Sequence, residues 1–93
     1  MAPAPADGRT PTTPRVRVLV RQGCHLCEVA LATVREVCAE TGDEVEVVDI
    51  DPDPALREQY TDQVPVTLVD GRQHDFWRVD AQRLRVALAG RPR

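Results

Sequence analysis

Cys24-His25-Leu26-Cys27 is the stretch of this 93-residue chain whose residue types and spacing suit covalent chemistry. Two thiols at i and i+3 can close a disulfide, can supply half of a tetrahedral metal site, or can be ordinary core residues. The third cysteine, Cys38, makes an odd count. Without a secretory signal, that argues against an extracellular disulfide framework and for metal or redox chemistry at the pair. A zinc centre needs four ligands, usually as two spaced pairs. Beyond the Cys24/Cys27 pair the chain offers only Cys38, His25 and His74, with no second pair, so no intrachain metal site is expected. A c-type haem attachment needs CxxCH, and Glu28 follows Cys27. The acidic cluster Asp49, Asp51, Asp53 reads as a solvated turn, since a strand end and a helix cap account for two of the three.

The elements around the pair decide what it can do. Residues 15–20, "RVRVLV", end in a continuous apolar run that suits a central strand buried on both faces. Gln22-Gly23 breaks it. From Leu26 to about Thr41, the residues Leu26, Ala30, Val34, Val37 and Thr41 recur at helical spacing, with Glu28, Arg35, Glu36 and Glu40 opposite. Gly42 is a helix stop. Cys38 lies three turns, roughly 16 Å at 1.5 Å per residue, along this helix from Cys27. It is therefore expected in the core, out of bonding range of the other two.

Residues 44–50, "EVEVVDI", read as a second strand, parallel to the first across the helical crossover. Asp53-Pro54 caps and opens a short helix to about Tyr60. Pro65 opens a third strand, "PVTLVD". Asp70-Gly71 is a hairpin turn into a fourth, "RQHDFWRV", over 72–79. In that strand one of Phe76 and Trp77 must face the core. Asp80 caps a last helix with Ala81, Leu84, Ala87 and Leu88 on one face.

The whole chain limits the function. It is long enough for one small domain. A net charge of −3 gives no electrostatic reason for nucleic acid or an anionic membrane as partner. No apolar run approaches the ~20 residues of a membrane span, so a soluble protein is expected. Four of the eight prolines fall in residues 1–14, which read as a disordered leader before a domain over 15–91. That leader has neither the basic nor the apolar region of a secretory signal.

A CxxC between the first strand and first helix of a β-α-β-α-β-β-α order is a thioredoxin-like signal. The chain resembles the glutaredoxins, more closely the small bacterial glutaredoxin-like proteins with a shortened C-terminal region. The resemblance covers roughly residues 15–90 and is carried by Arg21, Cys24-x-x-Cys27, Val64-Pro65 and the element order. It implies an α/β, thioredoxin-like fold of the glutaredoxin type, with a four-stranded mixed sheet in the order 2-1-3-4 flanked by helices. It also implies a cytoplasmic thiol–disulfide oxidoreductase in cell redox homeostasis, a monomer without a resident cofactor or metal. The partner would be a disulfide-containing protein or a small thiol, with glutathione as a candidate co-substrate. The alternative is a non-catalytic module of the same fold that holds a metal or iron–sulfur cluster through the dithiol.

A helix starting near Cys24 turns unpaired N–H groups and its positive dipole end toward that sulfur, which favours the reactive thiolate. Cys24 is then the nucleophile and Cys27, one turn in and more shielded, the resolving thiol. By the resemblance, Arg21 adds a cation near the sulfur. Pro65 is the cis-proline opposite the motif, and Val64 pairs its backbone with bound substrate, so Arg21, Val64 and Pro65 form the substrate-binding set. Two features depart from the family. His25-Leu26 stand where Pro-Tyr is common, and His25 either stabilises the thiolate when protonated or is simply solvated. The glycine pair that admits glutathione's γ-glutamyl carboxylate is absent from "FWRVDAQ", which puts glutathione as reductant in question.

Overall fold

The computed structural model describes residues 14–90. The expected leader lies outside the described residues except for Pro14, and so does the expected domain end at residue 91. The seven elements come in the expected order. They are β1 (Val16–Val20), α1 (His25–Thr41), β2 (Val45–Asp49), α2 (Pro54–Tyr60), β3 (Val66–Val69), β4 (Arg72–Phe76) and α3 (Ala81–Ala89).

The four strands form one sheet in the order β2-β1-β3-β4. β1 runs parallel to β2 with Val18 opposite Val47, and antiparallel to β3 with Leu19 opposite Val66. β3 and β4 are an antiparallel hairpin. Its turn residues Asp70 and Gly71 both have positive φ, 53° and 82°, as a two-residue connection between twisted strands requires. β1 is interior to the sheet, so its side chains alternate between two apolar layers, and the continuous run "VLV" follows from that position. On one face Val16 and Val18 pack with Val34, Val37 and Cys38 of α1 and with Leu84 and Leu88 of α3. On the other face Leu19, Ile50 and Val66 are covered by half-buried Leu56 and Tyr60 of α2.

Three details differ from the sequence expectation. The buried stripe of α1 is Cys27, Ala30, Val34, Val37 and Cys38, whereas Leu26 and Thr41 are exposed. Leu26 precedes Cys27 by one residue, 100° around the helix, so only one of them can join the stripe, and it is Cys27 that is buried.

β4 ends at Phe76 rather than running to residue 79. Trp77 has φ 65°, a left-handed conformation no strand continues through, at a cost of about 1–3 kcal/mol for a bulky residue. The same turn removes the strand alternation that would have sent Phe76 and Trp77 to opposite faces. Instead both are about half exposed, 46% and 52%, with their rings edge to face at 5.0 Å, and neither faces the core. An irregularity in β4, where the register shifts between Thr67 and Leu68, lets both His74 and Asp75 point toward α3.

Candidate active site

β1 delivers the chain to the site. Arg21 and Gln22 leave its C-terminal end, and Gly23, with φ 71°, makes the reversal into α1. A Cβ at Gly23 would meet nothing within 4 Å, so glycine is required for its backbone conformation alone.

Cys24 follows as the N-cap of α1, and its extended backbone (φ −99°, ψ 107°) lets the side chain reach back over the first turn. Its Sγ accepts a hydrogen bond from the Cys27 N–H at 3.1 Å, where a serine or aspartate oxygen usually sits. Its carbonyl accepts from the Glu28 N–H at 3.3 Å. Cys24 and Cys27 are joined as a disulfide, with Cα atoms 5.2 Å apart. The two sulfurs are unequal. Cys24 is partly exposed at the helix start, and Cys27 is buried at 3% exposure in the buried stripe of α1.

His25 points to solvent, with Nδ1 4.0 Å from Oε1 of equally exposed Glu28. Cys38 is a free, buried thiol that burial and the nearby Asp43 carboxylate push up from its ordinary value. It is separate from the Cys24–Cys27 disulfide, as its helical spacing requires.

The Val64–Pro65 peptide bond is cis. The pairing of Leu19 with Val66 sets Pro65 in the next row, beside Val20, so this segment stands at the sheet end from which Cys24 leaves. The residues proposed to meet substrate thus share one end of the sheet. Arg21 is differently engaged. Its Nε donates to Asp51 Oδ1 at 2.7 Å and a second guanidinium nitrogen donates to Thr61 Oγ1 at 2.8 Å, bracing the loop before Cys24 against the end of α2. That hydrogen bond from Arg21 is the main reason the Asp51 carboxyl sits below the usual carboxylate range. Partial desolvation opposes the shift, and the Gln22 N–H and the charges of Arg21 and Arg57 assist it. The guanidinium that sequence reasoning assigned to substrate is therefore already paired.

The acidic cluster is also accounted for. Asp53 caps α2 through the Ala55 and Leu56 N–H groups, Asp49 accepts from the Asp51 N–H, and Asp51 holds Arg21. Among the described residues no group of three histidine, cysteine or carboxylate side chains is placed to hold a metal ion.

Trp77 braces the segment before β3, a contact the sequence reading does not anticipate. Its main-chain N–H donates to the carbonyls of Pro65 (2.8 Å) and Gln63 (3.3 Å), and its indole Nε1–H donates to Asp62 O (2.9 Å). An aromatic residue at the end of a strand carries no sequence signal for such a role. At α3, Asp80 Oδ1 accepts from the Gln82 and Arg83 N–H groups at 2.9 and 3.1 Å, and Asp75 binds the Arg83 guanidinium at 2.7 Å.

Residues 15–89 match the family model described as a glutaredoxin-like domain (DUF836). The chain is 37% identical over 81 residues to the uncharacterized proteins Rv0508 of Mycobacterium tuberculosis and Mb0520 of Mycobacterium bovis. Those alignments span 82% of this chain and 84% of each relative. Among solved structures it is similar to protein XcR50 of X. campestris in solution (TM-score 0.68, 35% identity, 84% of this chain and 96% of that one). It is also similar to protein Ne2328 of Nitrosomonas europaea (TM-score 0.66, 29% identity, 82% and 92%). With its β2-β1-β3-β4 sheet and a Cys24–Cys27 pair closed at the start of α1, the chain belongs to the glutaredoxin-like domain family.

Proposed function

We propose that the protein is a dithiol–disulfide oxidoreductase in which Cys24 attacks and Cys27 resolves. The observation that carries this reading is the asymmetry of the disulfide: Cys24 is partly exposed and caps α1, while Cys27 is buried behind it. In the reduced protein the Cys24 sulfur keeps the Cys27 N–H and the helix dipole, both of which favour thiolate over thiol. Cys24 thiolate attacks one sulfur of a substrate disulfide. A mixed disulfide forms and the first substrate thiolate leaves. Cys27 then gives up its proton and attacks Cys24 Sγ, which releases the second substrate thiolate and closes Cys24–Cys27. The substrate has gained two electrons and the protein has lost them. A thiol reductant returns them by the same exchange in reverse.

The reading assigns this cycle to a reducing, cytoplasmic compartment and to the monomer. It takes a polypeptide disulfide as substrate in preference to a small charged thiol. Two anion-binding groups that glutathione would need are engaged within the molecule: Arg21 by Asp51, and the first N–H groups of α3 by Asp80. A γ-glutamyl carboxylate brought to α3 would meet Asp75 and Asp80 and forgo a charge-assisted hydrogen bond, a loss of about 1.5–3 kcal/mol. That corresponds to roughly ten- to more than a hundredfold in affinity.

Three serine variants test the assignment of roles. Cys24→Ser should abolish reduction of a disulfide substrate, Cys27→Ser should accumulate the mixed disulfide, visible by intact mass, and Cys38→Ser should retain turnover. Equal loss from Cys38→Ser and Cys24→Ser would sink the assignment. Metal analysis and the absorption spectrum of the same preparations separate this reading from cluster binding.

A further inference from the structure

Trp77 occupies a conformation that its own side chain disfavours. At φ 65° an L-residue brings Cβ against its neighbouring main chain, which is why glycine and asparagine dominate that region. A turn that merely ended β4 would use one of those and would need no ring. Burial does not hold Trp77 either, since it is half exposed and its ring contact is edge-on with Phe76, itself exposed. What holds it is hydrogen bonding. Its main-chain N–H and indole N–H together bond the carbonyls of Asp62, Gln63 and Pro65. Of the four successive carbonyls from 62 to 65, the one Trp77 does not take is that of Val64. An outlier maintained by its surroundings, bonded to the segment at the sheet end from which Cys24 leaves, points to a role in the reaction.

We infer that Trp77 is a positioning residue for disulfide exchange. It clamps the 62–65 segment at the sheet end from which Cys24 leaves, and so holds the Val64 main chain ready to pair with an extended polypeptide carrying the substrate disulfide. The inference rests on the proposed oxidoreductase reading and deepens it by naming the residue that positions the polypeptide substrate. Main-chain pairing selects an extended peptide whatever its sequence, and it gives nothing to a disulfide that lacks a peptide backbone.

The test uses the full chain with dithiothreitol as reductant and two substrates: an extended peptide containing a disulfide, and bis(2-hydroxyethyl) disulfide, which has no backbone. Trp77→Phe removes the indole donor and keeps the ring. Trp77→Gly removes both and relieves the left-handed backbone. For the peptide, KM should rise roughly two- to tenfold in Trp77→Phe, the span of one neutral hydrogen bond, and further in Trp77→Gly. Its kcat, the alkylation rate of Cys24 and the KM for bis(2-hydroxyethyl) disulfide should stay at wild-type values. Amide hydrogen exchange over 62–65 should quicken in both variants, with that of α1 unchanged. Unchanged peptide KM in both variants, or equal shifts for the two substrates, would overturn the inference and leave the oxidoreductase reading standing. Should the wild type reduce neither disulfide, that reading fails instead. The exchange measurement then decides the clamp alone, and unaltered protection in Trp77→Gly overturns it.

Discussion

Gly23 and Trp77 share the left-handed region of the backbone for opposite reasons. Gly23 is there because the loop from β1 to Cys24 must reverse, and nothing crowds the position where its Cβ would be. Gly23→Ala should therefore cost about 1–2 kcal/mol, the penalty of an L-residue at that φ, with no added clash. A urea midpoint lowered in both the oxidised and the reduced protein would check it. A far larger loss would mean that the loop is packed, contrary to the open space observed. Trp77 accepts the same penalty in return for hydrogen bonds to three carbonyls. Arg21 shows how a residue's partner can lie beyond its neighbourhood. Its position before CxxC suggests a cation for substrate, but its carboxylate partner is Asp51, thirty residues away. Nothing in the spacing of Arg21 and Asp51 announces that pair, because it depends on β1 and β2 ending side by side.

At the level of elements, hydrophobic period and terminal residues carried most of the information. β1 reads as an interior strand because its apolar run is continuous, and the helices read from their caps: Asp53, Asp80 and the stop at Gly42. Asp80→Ala removes the acceptor for two N–H groups of α3 and should destabilise the protein by about 1 kcal/mol. Thermal or urea unfolding measures this, and the loss should be absent in Asp80→Asn, which caps as well. The phase of α1 was harder to read. Leu26 and Cys27 are adjacent, both are apolar enough for a core, and only the position of the sheet chooses between them. The end of β4 was illegible for a different reason. "RQHDFWRV" has the composition of a strand throughout, and the break at Trp77 comes from hydrogen bonds to residues 62–65, which a linear pattern does not contain.

Across the whole molecule, arginine–carboxylate pairs tie the ends of the elements together. Arg15 binds both Asp70 oxygens at 2.9 and 3.0 Å and also donates to the carbonyls of Leu88 and Gly90. One guanidinium thus joins the start of β1, the hairpin turn and the C-terminal end of α3. Arg85 of α3 grips Glu40 of α1 with two hydrogen bonds, at 2.8 and 3.0 Å. Hydrogen bonds from these arginines, and from Arg21 to Asp51, hold the Asp70, Glu40 and Asp51 carboxyls below their ordinary values, against some desolvation. A lowered folded value means that the unfolded chain takes up protons first. The stabilisation is therefore present above the unfolded value near 4 and is lost as pH falls through and below it. The urea midpoint should stay level from neutral pH to about 5 and then drop, with a shallower drop in Asp70→Asn. An equal acid slope in that variant would remove Asp70 from the account.

The capping role of Cys24 has a consequence on the same scale. The sulfur that starts α1 is also half of the Cys24–Cys27 disulfide, so folding and the reduction of that bond form a thermodynamic cycle. Whatever the helix start adds to the stability of the dithiolate-competent form over the disulfide form must reappear as a more oxidising couple, about 30 mV for each 1.4 kcal/mol. The redox potential is then a property of the whole fold, which unfolding the oxidised and reduced proteins side by side would read out with no substrate present.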